Sequence, residues 1–109
     1  MKTLLTTLAL AALAVHAVPA DARDPAAGAA KAKEVCAACH GMDGNSPTPD
    51  YPKLGGQYED YLAKALRDYK SGVRKNPIMA GMAAGLTQKD IDDVSAYFSS
   101  LPPVLQTRM

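Results

Sequence analysis

Residues 36–40 read Cys-Ala-Ala-Cys-His, and this stretch decides how the rest of the chain is interpreted. Two cysteines separated by two residues and followed directly by a histidine form the pattern of covalent haem attachment. Thiols about one helical turn apart can add to the two vinyl groups of one haem, and the next residue then directs an imidazole toward the iron. The motif therefore predicts one haem c on Cys36 and Cys39, with His40 as an axial iron ligand.

Other uses of two cysteines fit this sequence poorly. A dithiol redox motif is expected within a βαβ pattern, whereas this chain shows helical signals and no strand signal. A structural zinc site normally has four protein ligands, and one of the two histidines, His16, lies in a predicted signal peptide. A disulfide between Cys36 and Cys39 would close a very short loop and would stabilise the fold little.

The first residues have the layout of a secretory signal peptide. Lys2 precedes an apolar run over residues 4–15, and small residues with Ala-x-Ala-like spacing follow. The run has about a dozen residues, fewer than the roughly 20 that a membrane-spanning helix needs. We predict a signal peptide over residues 1–20, with cleavage between 17 and 22, and an exported, periplasmic protein.

Composition and charge exclude several classes of function. The remaining residues, 21–109, form one small domain with one Phe and no Trp. The hydrophobic core of so small a domain usually needs a covalent cross-link or a bound group for stability. With Lys2 set aside, 11 basic residues balance 11 acidic ones, so no basic excess predicts nucleic-acid binding. No second apolar run predicts a membrane span.

Three helices are predicted, joined by irregular segments. The first begins at residues 24–25, which read as N-cap and first helical residue, and ends near Ala38. The last begins at Thr87, which forms a capping-box-like pair with Asp90, and ends before the two prolines at 102–103.

The middle helix has the clearest periodicity. One apolar stripe at helical spacing comprises Tyr58, Tyr61, Leu62, Ala65, Leu66 and Tyr69. Gly72 is the predicted stop. Residues 41–56 and 73–85 contain several glycines and prolines and are predicted as loops. The chain is therefore predicted to be all-α.

The sixth iron ligand is predicted to be a methionine. Signal cleavage would leave His40 as the only histidine, which excludes a second imidazole from the same chain, and a methionine thioether is common in electron carriers. Met42 is too close to His40 to reach the opposite face of the haem, and Met109 lies at the end of the tail. The spacing leaves Met79 and Met82 open, with the other of the two as a packing residue.

Further motifs follow the haem motif in a fixed order. These are Asp-Gly-Asn-Ser at 43–46, Tyr-Pro-Lys-Leu-Gly-Gly-Gln at 51–57, Met-Ala-Gly-Met at 79–82, and Leu86-Thr87, Asp90-Ile91 and Ala96-Tyr97-Phe98. With them the chain resembles the class I c-type cytochromes of the small bacterial c-553-like kind. It is also similar to one half of the dihaem bacterial cytochromes c. The resemblance covers nearly all of residues 21–109 and implies a cytochrome c domain there.

The resemblance implies the site residues that spacing leaves open. In this family the ligand is the first methionine of Met-x-Gly-Met, which corresponds to Met79, and Met82 would pack near the haem edge. The family also implies that the carbonyl of Pro52 accepts a hydrogen bond from the imidazole N–H of His40. Such a bond fixes the tautomer of the ligating histidine and strengthens its donation to iron.

The same resemblance implies a fold. It is the small class I cytochrome c fold, with three main helices and loops wrapped around one covalent haem. The N-terminal and C-terminal helices cross in this fold, and Gly28 is a candidate for their close approach, against Tyr97 or Phe98. The alternative is that Gly28 is only a weak position in an Ala-rich helix.

The predicted function is one-electron transfer by a mono-haem cytochrome that is not an enzyme. Its partners would be redox proteins that dock transiently on a monomer. A dedicated subunit of an oxidase or dehydrogenase is the first alternative, and a haem enzyme or gas sensor with an open iron position is the second. A basic cluster that could be a docking face or an ordinary solvated helix surface comprises Lys64, Arg67, Lys70, Arg74 and Lys75.

Overall fold

The computed structural model describes residues 11–12, 14 and 23–103. The predicted signal peptide lies mostly outside these residues, as do its cleavage range of 17–22 and Met109. The described residues form five helices and no strand: α1 (Pro25–Val35), α2 (Ala37–His40), α3 (Glu59–Ser71), α4 (Pro77–Ala84) and α5 (Gln88–Ser100). The all-α prediction is confirmed, with α1, α3 and α5 as the three main helices. No helix within the described ranges has the length and hydropathy to cross a membrane.

The first helix begins where the sequence predicted but breaks inside the haem motif. The Asp24 carboxylate accepts hydrogen bonds from the backbone N–H groups of Ala26 and Ala27, at 2.9 and 3.2 Å, and so caps α1. The structure ends α1 at Val35 rather than near Ala38. The Cys36 carbonyl then accepts from the N–H groups of both Cys39 and His40, at 3.3 and 3.0 Å, and α2 begins as a separate turn.

The prediction of a loop over residues 73–85 is wrong for most of that segment, because Pro77–Ala84 forms α4. The Asn76 side chain accepts from the N–H groups of Ile78 and Met79, at 3.0 and 3.1 Å, and Pro77 occupies the first helical turn. Asn-Pro is a turn signal in a loop and an N-cap signal before a helix. The local sequence therefore allows both structures.

The capping box predicted for the last helix is present. The Thr87 hydroxyl accepts from the Asp90 N–H at 3.0 Å, and the Asp90 carboxylate accepts from the Thr87 N–H at 2.9 Å. This backbone hydrogen bond is the main reason that the pKa of Asp90 lies below its ordinary value of 3.8. The ionised carboxylate is thus tied to the first turn of α5, where it also faces the positive end of the helix dipole.

Asp90→Asn is expected to lower stability in a pH-dependent way. Because the folded-state pKa is depressed, the carboxylate stabilises the fold above its unfolded-state pKa, and that contribution disappears as the pH falls through the folded-state pKa. The variant is expected to be less stable by about 0.3–1 kcal/mol near neutral pH. Urea denaturation of both proteins near neutral pH and in acid measures this difference, with Asp50→Asn in an exposed loop as control. A difference that is the same at both pH values would contradict the assignment.

Helices α1 and α5 cross at Gly28, the glycine proposed from the resemblance. A Cβ atom at this position would collide with the carbonyl oxygen of Asp93 and would lie 2.9 Å from the Cβ of Tyr97. The backbone of α5 is therefore the main neighbour, and Tyr97, rather than Phe98, is the side chain beside it. Glycine allows this approach because it has no side chain.

A buried carboxylate secures the same crossing. Asp93 is 4% exposed; it accepts from the Asp24 N–H at 2.9 Å and pairs with Lys89 at 2.7 Å. The start of α1 is thereby joined to the middle of α5. The hydrogen bond from Asp24 and the ion pair with Lys89 offset part of the cost of removing this carboxylate from water.

Two small apolar clusters lie beneath these helices. The first contains Ala32, Leu62 and Phe98, with Cys36, Leu54, Tyr97 and Leu101 packed against it, and the second contains Ala63, Leu86 and Ile91, with Leu66 packed against it. The first cluster includes the first cysteine of the haem motif. The position of that motif is therefore fixed by the main helix packing.

Candidate haem site

The two cysteines stand at the junction of α1 and α2. Both are half-buried and they do not form a disulfide with each other. Burial raises the pKa of the Cys36 thiol to about 11. A reactive dithiol normally has a depressed pKa and an exposed thiolate, so this environment disfavours a redox-active disulfide motif and suits a thiol that is consumed once in a covalent link.

The His40 imidazole is buried and held in one orientation. Its side chain is 6% exposed, and Nδ1 lies 2.8 Å from the carbonyl oxygen of Pro52. A carbonyl oxygen can only accept, so Nδ1 carries the proton and donates it. In the neutral imidazole, Nε2 then keeps its lone pair, which is the form that binds a metal ion.

Pro52 is positioned by a loop whose two ends meet. The Gly44 carbonyl accepts from the N–H groups of Leu54 and Gly55, at 2.8 and 3.2 Å. Gly44 has a φ of +69°, and a Cβ there would press on the Gly55 backbone, so the closure requires glycine. Residues 44–55 thus form a compact loop that brings the Pro52 carbonyl to His40.

Two side chains on this side of the site were missed by sequence reasoning as hydrogen-bond donors. Ser46 Oγ lies 2.7 Å from the Thr48 carbonyl oxygen and 3.2 Å from the Cys39 carbonyl oxygen, so its one proton can be donated to either. The Tyr97 hydroxyl donates to the Met42 carbonyl. Ser46 belongs to the Asp-Gly-Asn-Ser motif, which was an available signal for it. Tyr97 is 55 residues from its acceptor, so no local pattern could indicate that bond.

The aromatic ring of Tyr51 borders the imidazole. The Tyr51 and His40 ring centroids are 6.4 Å apart with an interplanar angle of 62°, an edge-to-face arrangement. Tyr51 precedes Pro52 in the same loop, so one segment supplies both a hydrogen-bond acceptor and an aromatic neighbour to the histidine.

The two candidate methionine ligands both lie on α4. Met79 is half-buried and Met82 is 45% exposed, and their separation of three residues places them one turn apart on one side of the helix. Met42, by contrast, lies in the turn just after His40. The choice of Met79 over Met82 rests on the family motif and remains a prediction.

The donors and the surface of α4 fit a haem group. Thiols, a neutral imidazole and a thioether are the side chains by which c-type haem is linked and ligated. Every residue of α4 is apolar or glycine, yet only Ala83 is fully buried by the protein. A helix without a polar face is expected to be covered, and a large apolar macrocycle can cover it.

The fold and the attachment motif define a class I c-type cytochrome. The family model for cytochrome c matches residues 25–102, so the chain belongs to the cytochrome c family. The resemblance seen in the sequence is confirmed at this level, and haem c is the cofactor that the family and the Cys36–Cys39 motif imply.

Three relatives are similar to this chain over about three quarters of its length. It is 53% identical to cytochrome c4 of Pseudomonas aeruginosa over 72% of this chain and 39% of that protein. It is 45% identical to cytochrome c-554(548) of Halomonas halodenitrificans over 72% of this chain and 98% of that one. Reduced cytochrome c4 from Pseudomonas stutzeri superposes with a TM-score of 0.69 at 48% identity, over 74% of this chain and 47% of that structure.

These relatives differ in length. The chain spans about two fifths of the Pseudomonas aeruginosa cytochrome c4 but matches nearly all of cytochrome c-554(548). The predicted similarity to one half of a longer cytochrome is thus confirmed, together with a match to a relative of single-domain length.

Proposed function

We propose that this chain is an exported, periplasmic mono-haem cytochrome that carries single electrons and has His40 and Met79 as axial iron ligands. The observation that supports it most is the His40 imidazole, which is buried one residue after Cys39 and hydrogen-bonded through Nδ1 to Pro52. Because Nδ1 is engaged with Pro52, Nε2 is the ring nitrogen that would bind the iron. Neither a redox dithiol nor a simple disulfide needs a histidine that is held in this way.

Each residue has one task in this proposal. Cys36 and Cys39 anchor the group covalently at the end of α1, and the Pro52 carbonyl keeps the His40 ring from rotating. When bound, the haem supplies reversible one-electron oxidation and reduction of its iron. The protein supplies ligation, orientation and an apolar surrounding, which together determine the reduction potential.

Met79 completes the proposed coordination. Its N–H donates to the Asn76 side chain at 3.1 Å, so the cap that starts α4 also fixes the position of the methionine. A thioether is a neutral, soft ligand that raises the potential by favouring ferrous iron. Two strong axial ligands leave no position for oxygen or another substrate, which is why we propose a carrier rather than an enzyme.

The proposed location and partners rest on the sequence. The signal-peptide pattern over residues 1–20 supports export to the periplasm. The near balance of charge gives no reason to expect nucleic acid as a partner. Exchange of electrons with other redox proteins through small, short-lived contacts of a monomer fits a carrier of this size.

The visible spectrum of the purified exported protein, oxidised and reduced, tests this function. We expect one haem per chain, the weak ferric absorption band of methionine-sulfur ligation near the red end, and no uptake of carbon monoxide by the reduced protein. Absence of the sulfur band together with carbon monoxide binding would show an open iron position and would replace the carrier with a haem enzyme or gas sensor. Size-exclusion chromatography of the same sample distinguishes a free monomer from a subunit of a complex.

A further inference from the structure

Tyr97 connects the α1–α5 crossing to the turn that follows His40. Its hydroxyl donates to the Met42 carbonyl, which lies two residues after the histidine. Its ring packs edge-to-face on Phe98, with centroids 5.1 Å apart, and its Cβ lies beside Gly28 in the crossing. The hydroxyl therefore reaches from the main helix pair to the backbone of the haem site.

The turn that accepts this hydrogen bond connects α2, which carries His40, to the loop at 44–55, which carries Pro52. Gly41 ends α2 with a φ of +77°, and its N–H donates to the Ala37 carbonyl at 2.9 Å. The Gly44 N–H then donates to the Gly41 carbonyl at 3.2 Å, and Gly44 begins the loop that carries Pro52. A shift of this turn moves the histidine and its hydrogen-bond acceptor relative to each other.

We propose that Tyr97 is a positioning residue for the axial histidine. Its hydroxyl holds the turn at Met42 and so keeps the hydrogen bond from His40 to Pro52 at its observed length of 2.8 Å. This inference rests on the proposed function, in which His40 binds the iron. A strong bond from Nδ1–H to a carbonyl increases the basicity of the imidazole and favours ferric iron. Loss of the tether would lengthen that bond and would raise the reduction potential.

The ring and the hydroxyl of Tyr97 make different contacts, so one substitution can remove the hydroxyl contact and keep those of the ring. The contacts with Phe98 and with the Gly28 position are made by the ring and Cβ of Tyr97, whereas only the oxygen contacts Met42. Tyr97→Phe therefore removes the tether and keeps the packing. Tyr58→Phe is the matched control, because it deletes the same hydroxyl from a side chain that is 82% exposed at the start of α3.

The test is a redox titration of the haem-loaded variants, followed by amide hydrogen exchange. Tyr97→Phe is expected to have a higher midpoint potential than the wild type and faster exchange of the Gly44 amide, while Tyr58→Phe matches the wild type in both. A Tyr97→Phe potential equal to or below the wild-type value would overturn the proposal. A role in packing alone would change thermal stability without moving the potential.

A measurement on the wild type keeps the proposal testable if Tyr97→Phe does not hold haem. In the reduced protein, the ring protons next to the Tyr97 hydroxyl are expected to show a nuclear Overhauser contact to Met42 Hα. Its absence would overturn the proposal. The visible spectrum of the same sample distinguishes failure of the proposed function from failure of the role of Tyr97. A wild type without histidine–methionine ligation contradicts the proposed function. Normal ligation with no shift of the potential in Tyr97→Phe contradicts only the role of Tyr97.

Discussion

Replacing Met79 by alanine is expected to abolish the ferric sulfur band and to open the iron to carbon monoxide. The reduction potential should fall, because the thioether that favours ferrous iron is lost, and axial ligands set haem potentials over a range of about 0.8 V. Visible spectroscopy and a redox titration of the exported holoprotein measure both effects.

Met82→Ala is the matched control for this experiment. Met82 lies one turn further along α4, is 45% exposed and is the second methionine of the same motif. The variant should keep the sulfur band and a potential close to that of the wild type. Loss of the band in Met82→Ala but not in Met79→Ala would reassign the ligand, and its persistence in both would exclude both residues.

Gly28→Ala is expected to cause the largest loss of stability. The added methyl group would collide with the Asp93 carbonyl oxygen, a backbone atom of α5 that cannot move without shifting the whole helix. Overpacking of this kind costs about 1–3 kcal/mol and sometimes more. For a domain of this size, that loss lowers the melting temperature by roughly 4–8 °C for each kcal/mol. Thermal unfolding followed by circular dichroism measures it.

Gly85→Ala provides the comparison for the helix crossing. Gly85 has an ordinary φ of −84°, and a Cβ built there has no neighbour within 4 Å. Its replacement should leave stability unchanged or slightly improved, since alanine restricts the unfolded chain. If Gly28→Ala were as stable as Gly85→Ala, the close approach of α1 and α5 would not be a constraint on the fold.

Local sequence predicted the elements whose signals are local. Asp24 and Thr87 cap α1 and α5 as their positions suggested. The spacing also predicted α3 and the burial of Leu62. However, Tyr58 and Tyr61 of the predicted stripe are 82% and 51% exposed, and the buried Ala63 was not part of it. The segment around Asn76 was assigned wrongly because an Asn-Pro pair starts both loops and helices. Whether such a segment becomes helical depends on tertiary packing, here against α3, which a short window does not contain.

In the candidate site, too, some residues were predicted from a local motif and others were not. The haem motif follows from five consecutive residues, whereas the roles of Pro52 and Met79 came from the family resemblance rather than from spacing. At Gly28 the resemblance indicated Tyr97 or Phe98 as neighbour; the structure has Tyr97, together with the backbone of Asp93, which was not predicted. These two residues are four positions apart, so they lie on one face of α5 and meet the same glycine.

The distance along the chain between α1 and α5 has a consequence for folding of the domain. The bond between Asp24 and Asp93 spans 69 residues, so the fold cannot close until nearly the whole domain is available. An isolated helix as short as α1, with 11 residues, is only marginally stable in water. The helix that ends at the haem motif therefore depends for its stability on the last helix of the domain, to which it is packed.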